Sequence, residues 1–236
     1  VEALARWHHP DRGWISPADF LPALAAAGQM TRLCDAILAQ SLVALRAWDA
    51  AGHEVPRVSI NLAGADLADA SLPRRVAWEL DRAEVAPHRL GVEVLETVIV
   101  TTTDPTPARS LAALKAMGCT IDLDDFGTGC ASITAIRAFP IGRIKIDRSF
   151  VNGIDTDPDA RSMLSAILTM AERLGVETLA EGVETDAQAD LLTQYGCGHL
   201  QGFGIARPMP AADLPQWHTQ HAARLPPLTP LRRHSR

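Results

Sequence analysis

Acidic side chains recur in four separated segments of the sequence, each close to the end of a short apolar run. They are Glu2, then Glu93 with Glu96, Asp124 with Asp125, and Glu181 with Glu184. Bringing so many carboxylates together costs free energy in repulsion and desolvation unless cations compensate. Oxygen-rich ligand sets without paired His or Cys suit hard divalent ions such as Mg²⁺ or Mn²⁺. The sequence therefore predicts a metal site built from carboxylates.

Phosphoester hydrolysis is the chemistry that such a site would best support. Asn61 adds a neutral oxygen ligand, and the side chains of the adjacent Asp124 and Asp125 are expected to diverge, so that Asp124 bridges two ions while Asp125 reaches one. Two neighbouring ions activate water and stabilise the entering and leaving oxygens of a phosphodiester. Lys145 is a candidate for holding the attacking water or neutralising charge in the transition state.

The elements that must position these residues alternate between short β-branched runs and longer amphipathic stretches, which indicates parallel strands joined by crossover helices. The predicted strands are Val1–Trp7, Arg57–Leu62, Leu90–Leu95, Thr120–Asp124, Arg143–Ile146, Glu177–Ala180 and Gly198–Gln201. The predicted helices are Thr31–Ala51, Ala65–Arg82, Thr106–Met117, Pro158–Leu174 and Thr185–Tyr195. Helix starts are also predicted where proline follows an N-cap residue, at Ser16-Pro17 and Asp157-Pro158.

The polar residues at the strand ends favour a closed barrel over an open sheet. They are Asn61, Glu93, Asp124, Lys145, Glu181 and Gln201. In a (β/α) barrel such ends converge on one mouth, whereas an open sheet would scatter half of them. The predicted fold is a TIM-like (β/α) barrel of the α/β class. Such barrels have about eight strands, and a strand preceding Glu2 is the one that is apparently missing.

Composition places the chain among ordinary globular proteins with one large domain. It has 236 residues, of which 47% are hydrophobic, and a net charge of -6, which argues against binding a nucleic acid polymer. The four cysteines have no metal-ligand or redox spacing, and no span or secretory signal is visible, so a cytoplasmic domain is expected. We expect the domain to cover residues 1–223 and a disordered tail to follow over 224–236.

The sequence resembles the EAL-domain family of cyclic di-GMP phosphodiesterases from its first residue to about residue 210. Seven motifs occur in the family's order, and this order makes the resemblance specific, whereas a lone Glu-Ala-Leu would not. The motifs are Glu2-Ala3-Leu4 with Arg6 and Trp7, Ser59–Leu62, Glu93–Glu96, Asp124–Gly129, Ile144–Phe150, Ala180–Glu184 and Gln201-Gly202.

The resemblance implies a role for each candidate residue. Ligands of one metal ion would be Glu2, Asn61, Glu93 and Asp124, and those of a second ion would be Asp124, Asp125 and Glu181. Lys145 would position the nucleophilic water and, with Asp124 and Glu181, form the catalytic set. Leu4, Arg6 and Gln201 would contact the substrate. Glu96 would anchor the loop after Asp125, and Glu184 would support the second metal.

The implied reaction is cleavage of one phosphodiester of cyclic di-GMP to give linear pGpG, supported by Mg²⁺ or Mn²⁺ at a two-metal site. The family also implies a homodimer formed through the loop and helix after Asp125, and fusion to sensor or cyclase-like domains. The side chains depart from the family pattern at two sites. Leu95 stands where a threonine is usual, and Cys130-Ala131 replaces the usual Tyr-Ser of the dimer loop.

Two other functions are compatible with parts of the sequence. A receptor that binds cyclic di-GMP without cleaving it would account for the altered loop at Cys130. A Schiff-base aldolase would account for Lys145, which falls near the sixth strand of a barrel once the missing strand is counted. An aldolase, however, has no need of so many converging carboxylates.

Overall fold

The computed structural model describes residues 1–101, 104–127, 136 and 139–222. Among them, seven parallel strands form one sheet in the order β1-β4-β5-β6-β7-β8-β9, and β2 pairs with β3 in an antiparallel hairpin. The strands are β1 Glu2–Ala3, β2 Trp7–His9, β3 Gly13–Ile15, β4 Val58–Leu62, β5 Leu90–Leu95, β6 Thr120–Phe126, β7 Arg143–Ile146, β8 Glu177–Ala180 and β9 His199–Leu200.

Helices cover the outer face of this sheet. In the described residues they are α1 Pro17–Ala26, α2 Met30–Ala50, α3 Gly64–Leu67, α4 Leu72–Arg82, α5 Glu96–Thr101, α6 Thr106–Met117, α7 Pro158–Leu174, α8 Asp186–Gln194 and α9 Leu214–Ala222. The starts predicted at Pro17 and Pro158 are confirmed, because Ser16 and Asp157 accept hydrogen bonds from the first backbone N–H groups. No helix in the described part of the chain is long and apolar enough to cross a membrane.

Several elements differ from those predicted. The single helix expected over Ala65–Arg82 is two, because Asp69 accepts hydrogen bonds from Ser71 and shapes a turn before Pro73, which disfavours helical backbone ahead of it. The strand expected over Val1–Trp7 breaks after Ala3, and Trp7 pairs instead with Ile15 in the β2–β3 hairpin. Helices α5 and α9 were not predicted.

The sheet curls, but β1 and β9 remain its edges among the described strands. A side-chain contact crosses the seam between them, since Gln201 Nε2 donates a hydrogen bond to Glu2 Oε2 at 2.7 Å. Beside β1, a groove of about 1090 Å³ runs between the N-terminal segment, α1, α2 and residues 208–214. These features confirm the predicted TIM-like barrel, whose sheet has seven strands among the described residues.

The pairing register sorts the interior side chains into layers. Asn61, Glu93, Asp122 and Arg143 occupy one line across four strands. Because side chains alternate along a strand, the next interior line toward the carboxyl ends contains Leu95, Asp124 and Lys145. The outward-facing positions between these lines, such as Val94 and Ile144, are fully buried against the helices.

An ion pair fills the barrel below the carboxylate cluster. The Asp122 side chain has no solvent exposure, Arg143 has 7%, and an Arg143 Nη2 hydrogen bond joins them. Asp122 Oδ1 and Arg143 Nε have no hydrogen-bond partner among the described residues. Such a pair adds little net stability, but loss of one partner leaves the other charge buried and unpaired.

We therefore expect Asp122→Ala to lower the free energy of unfolding by about 3 kcal/mol, because it leaves Arg143 uncompensated. The double variant Asp122→Leu with Arg143→Met removes both charges at similar volume and should lose much less. Urea unfolding followed by circular dichroism measures both. Equal losses in the single and double variants would show that charge pairing is not what the site requires.

Candidate functional site

The centre of the mouth is the ammonium group of Lys145, whose side chain is 1% exposed. Its Nζ lies 2.7 Å from Glu93 Oε2, 2.8 Å from Asp124 Oδ1, 2.8 Å from Glu181 Oε1 and 3.5 Å from Glu2 Oε2. Strands β1, β5, β6 and β7 and the end of β8 thus bring five predicted site residues together. Convergence at the carboxyl ends of parallel strands is what a barrel provides.

Glu2 is held by three polar side chains from three other segments. Its Oε1 accepts a hydrogen bond from Asn61 Nδ2 at 2.8 Å, and its Oε2 accepts one from Gln201 Nε2. Although burial opposes ionisation of Glu2, the charge of Lys145 and the two amide hydrogen bonds outweigh it and lower the pKa. Gln201, expected to contact substrate, is therefore engaged with a predicted metal ligand.

A glycine keeps Gln201 in place. The backbone N–H of Val183 donates to the carbonyl of Gln201 at 3.0 Å, so the segment after β9 runs against the segment after β8. A Cβ on Gly202 would lie 2.2 Å from the carbonyl oxygen of Val183. The Gln201-Gly202 motif therefore combines a side chain for Glu2 with a close backbone approach that other residues would obstruct.

The two adjacent aspartates lie in a β-bulge. Leu123 pairs with Ile144 and Phe126 pairs with Ile146, so Asp124 and Asp125 together lie opposite the single residue Lys145. Asp125 adopts φ of 53°, in the left-handed region that aspartate tolerates better than most residues. As a result, carboxylate oxygens of Asp124, Asp125 and Glu181 lie within 4.8 Å of one another. The expectation that Asp124 is shared between two ions while Asp125 reaches one stays a prediction.

The cluster has more negative than positive charge. Burial raises the pKa of Glu93 to about 8, with the charges of Glu2 and Asp124 acting in the same direction and Lys145 against them. Burial likewise raises the pKa of Glu181. On Lys145, burial is outweighed by Glu93, Glu2, Glu181 and Asp124, which raise the pKa of the ammonium group. A lysine held as a cation lacks the neutral amine that a Schiff-base aldolase needs, so the geometry opposes that alternative.

The residues present fit a divalent cation. Asp124 Oδ1 is buried and forms an ion pair with Lys145 Nζ at 2.8 Å, and the carboxylate has further lone pairs that could coordinate a cation. A bound cation would favour ionisation of all four carboxylates around Lys145, and their charge would then exceed that of the ammonium group by three. An oxygen-only set of this charge suits Mg²⁺ or Mn²⁺. The site therefore has both the ligand type and the charge deficit that a bound ion would satisfy.

Glu96 is a further carboxylate, outside the cluster, and it contacts the backbone just after Asp125. Glu96 is 2% exposed, and its Oε2 accepts a hydrogen bond from the backbone N–H of Gly127 at 2.9 Å. A Cβ on Gly127 would meet the Phe150 ring at 2.4 Å, which makes a side chain there costly. This is the contact expected of an anchor, although the functional role of Glu96 stays a prediction. Cys130-Ala131 lies outside the described residues.

Three predicted residues lie away from the cluster. Leu4 and Arg6 are exposed on the segment between β1 and β2, where Arg6 Nη1 donates to the Ala5 carbonyl oxygen. Glu184 is exposed just before α8, and its hydrogen bond within the described residues uses its backbone N–H, which donates to Gln188. The structure thus places Leu4 and Arg6 at the surface beside Glu2, and Glu184 outside the group that surrounds Lys145.

Sequence reasoning missed two charged groups next to the site. Asp147, in the turn after β7, lies close enough to Asp125 that its charge adds to burial and to Asp124 in raising the pKa of Asp125. Its position two residues after Lys145 was the available signal. The other group is the Asp122–Arg143 pair, for which the two-residue offset from Asp124 and Lys145 was the signal.

The family assignment follows from comparison with known proteins. The model of the EAL domain family matches residues 1–208, which include the whole cluster. The chain belongs to the EAL domain family. Its structure superimposes on that of the MucR phosphodiesterase in complex with c-di-GMP with a TM-score of 0.84 at 38% identity, covering 91% of this chain and 86% of that one.

Curated relatives of this EAL domain are larger proteins. It is 38% identical over 214 residues to the bifunctional diguanylate cyclase/cyclic di-GMP phosphodiesterase MucR of Pseudomonas aeruginosa, covering 91% of this chain and 31% of that protein. It is 36% identical to the cyclic di-GMP phosphodiesterase NbdA of the same species, covering 92% of this chain and 28% of that protein. The chain therefore spans about a third or less of these relatives.

The positive φ of Asp125 predicts that two substitutions at this position differ in stability. Asp125→Asn and Asp125→Ala remove the same charge, but alanine tolerates positive φ less well, by about 1 kcal/mol. In EDTA, we expect Asp125→Ala to have the lower free energy of unfolding by that amount. Urea titrations of the two variants in parallel measure it. Equal stability would mean that the left-handed backbone at this position is not retained.

The excess negative charge around Lys145 predicts that a divalent cation stabilises the folded protein. Saturating Mn²⁺ added to metal-free protein should raise the melting temperature by about 5 °C, because the ion binds only the folded state. Asp124→Asn should lose most of this shift, while Glu177→Gln, at the opposite end of β8 and exposed, should keep it. Differential scanning calorimetry measures the shifts. An unchanged shift in Asp124→Asn would place the ion elsewhere.

Proposed function

We propose that this EAL domain hydrolyses cyclic di-GMP to linear pGpG in a reaction that depends on Mg²⁺ or Mn²⁺. The observation that supports this most directly is a buried lysine surrounded by four carboxylates at the mouth of the barrel. Family membership and relatives named as phosphodiesterases add the substrate. The product and the metal dependence are inferences from the chemistry of the cluster.

Two overlapping ligand sets would hold the ions. Glu2, Asn61, Glu93 and Asp124 would hold one, and Asp124, Asp125 and Glu181 would hold the other. When bound, such ions supply a nucleophilic water near neutral pH and stabilise charge on the phosphodiester oxygens. The bulge supports the shared role of Asp124, since it brings Asp124 and Asp125 to the same side.

Lys145 and the neighbouring acids would orient the attacking water and offset the negative charge that develops around phosphorus. Water attacks phosphorus and loses a proton, one P–O bond of the diester breaks, and the leaving ribose oxygen gains a proton, so that protons balance overall. The Lys145 ammonium, oriented by Glu93 and Glu181, can hold the attacking oxygen and offset the charge that develops in the transition state. Leu4 and Arg6 would contact the substrate from the exposed rim, and Gln201 would act mainly by orienting Glu2.

Further proposals concern the protein around this domain. We take residues 1–223 as the phosphodiesterase domain and 224–236 as a disordered tail, which lies outside the described residues. The relatives include an oxygen sensor protein and a bifunctional cyclase, so we propose that the domain is fused to sensor or cyclase-like domains on the cytoplasmic side of the cell. A homodimer through the segment after Asp125 is also proposed, and it too involves residues outside the described part.

The proposal is tested by chromatography of protein incubated with cyclic di-GMP in Mg²⁺, in Mn²⁺ and in EDTA. We expect pGpG with either ion and none in EDTA. Glu181→Ala should reduce turnover at least about a hundredfold, because it removes a ligand and a partner of Lys145. Glu177→Gln, on the same strand but 61% exposed, should retain wild-type turnover.

The outcomes separate the enzyme from the receptor alternative. Tight binding of cyclic di-GMP by the wild type in Mg²⁺, with no pGpG after long incubation, would contradict the enzyme and establish a receptor. Wild-type turnover by Glu181→Ala would leave the reaction standing but contradict the assignment of the site.

A further inference from the structure

Leu95 is an apolar side chain at a mouth whose other site residues are charged or amide groups. It is the last residue of β5 and is 41% exposed, whereas the five preceding residues of the strand are buried. Exposed leucines are common on protein surfaces and by themselves need no explanation. The location of Leu95 is what distinguishes it from the exposed apolar residues on the helices.

The register directs Leu95 toward the site. Side chains alternate along a strand, so Leu95 lies on the same side of β5 as Glu93, which contacts Lys145 inside the barrel. Leu95 pairs directly with Asp124 on β6. Adjacent strands are about 4.8 Å apart, so Leu95 is the immediate neighbour of the aspartate proposed to bridge two ions.

Residues close to Leu95 on both sides along the chain are buried and hydrogen-bonded. Glu93, two residues before it, is 2% exposed and hydrogen-bonded to Lys145, and Glu96, directly after it, is 2% exposed and bonded to Gly127. The backbone of β5 is thus positioned at Leu95, so part of the ordering that a contact with an apolar ligand surface requires is already made.

We propose that Leu95 is a specificity-determining residue that packs against a guanosine unit, base or ribose, of the cyclic dinucleotide; this inference rests on the proposed function. Leucine offers neither charge nor a hydrogen bond to a phosphate. With the scissile phosphate over Asp124, the apolar face of an adjoining nucleoside lies within reach of the neighbouring strand. The contact would contribute to substrate binding and leave the chemical step to the carboxylates and Lys145.

The test compares two phosphodiesters, cyclic di-GMP and bis(p-nitrophenyl) phosphate, which has no nucleoside. Leu95→Ala should raise the KM for cyclic di-GMP about tenfold with little change in kcat, because it removes apolar contact area but no catalytic group. Turnover of bis(p-nitrophenyl) phosphate should not change. Leu95→Met, similar in volume, should restore most of the affinity, and Val43→Ala, on the outer face of α2, is the matched control.

An equal loss on both substrates would overturn the inference, since Leu95 would then act through the metal centre. No change on either substrate would overturn it as well. If the wild type binds cyclic di-GMP but does not cleave it, the proposed function fails. The contact with Leu95 is then tested by calorimetric Kd values for cyclic di-GMP. A tenfold weaker Kd for Leu95→Ala than for wild type and Val43→Ala would support the contact, and an unchanged Kd would refute it.

Discussion

The arrangement of the mouth depends on one desolvated ammonium group. Lys145 is almost completely buried and could not remain charged there without the carboxylates that converge on it from β1, β5, β6 and the end of β8. The carboxylates in turn repel one another, and the lysine offsets only part of that repulsion. Excess negative charge in this cluster is unfavourable by itself and favours binding of further cations.

The interior has two ionic layers with different consequences. The lower one, Asp122 with Arg143, is an internally neutral pair sealed from solvent. The upper one, around Lys145, has excess negative charge and an open side toward solvent. The same two strands, β6 and β7, contribute to both layers through residues two positions apart. Spacing along the strands thus separates a structural ion pair from a reactive site.

Much of this arrangement could be predicted from the sequence because it depends on local patterns. Strands β5, β7 and β8 and helices α6 and α7 match their predicted bounds, since buried β-branched runs and capped amphipathic stretches define them. Motif order likewise identified the residues around Lys145. The bulge at Asp124-Asp125 could not be predicted, because positive φ at Asp125 is imposed by pairing with β7. The engagement of Gln201 with Glu2 depends on sheet curvature, which no local pattern encodes.

The position of Glu2 at the edge of the sheet connects the candidate site to the groove beside β1. Glu2 lies on a two-residue edge strand that pairs with β4, and its carboxylate reaches across to Gln201 on the opposite edge. Short edge elements are among the first to open locally. If Glu2 is a metal ligand, a group that binds along this edge and restrains Glu2 would strengthen binding of the ion, and the ion would strengthen binding of that group by the same factor. If Glu2 binds a cation, occupancy of the groove that Glu2 lines and occupancy of the cation site would therefore be coupled.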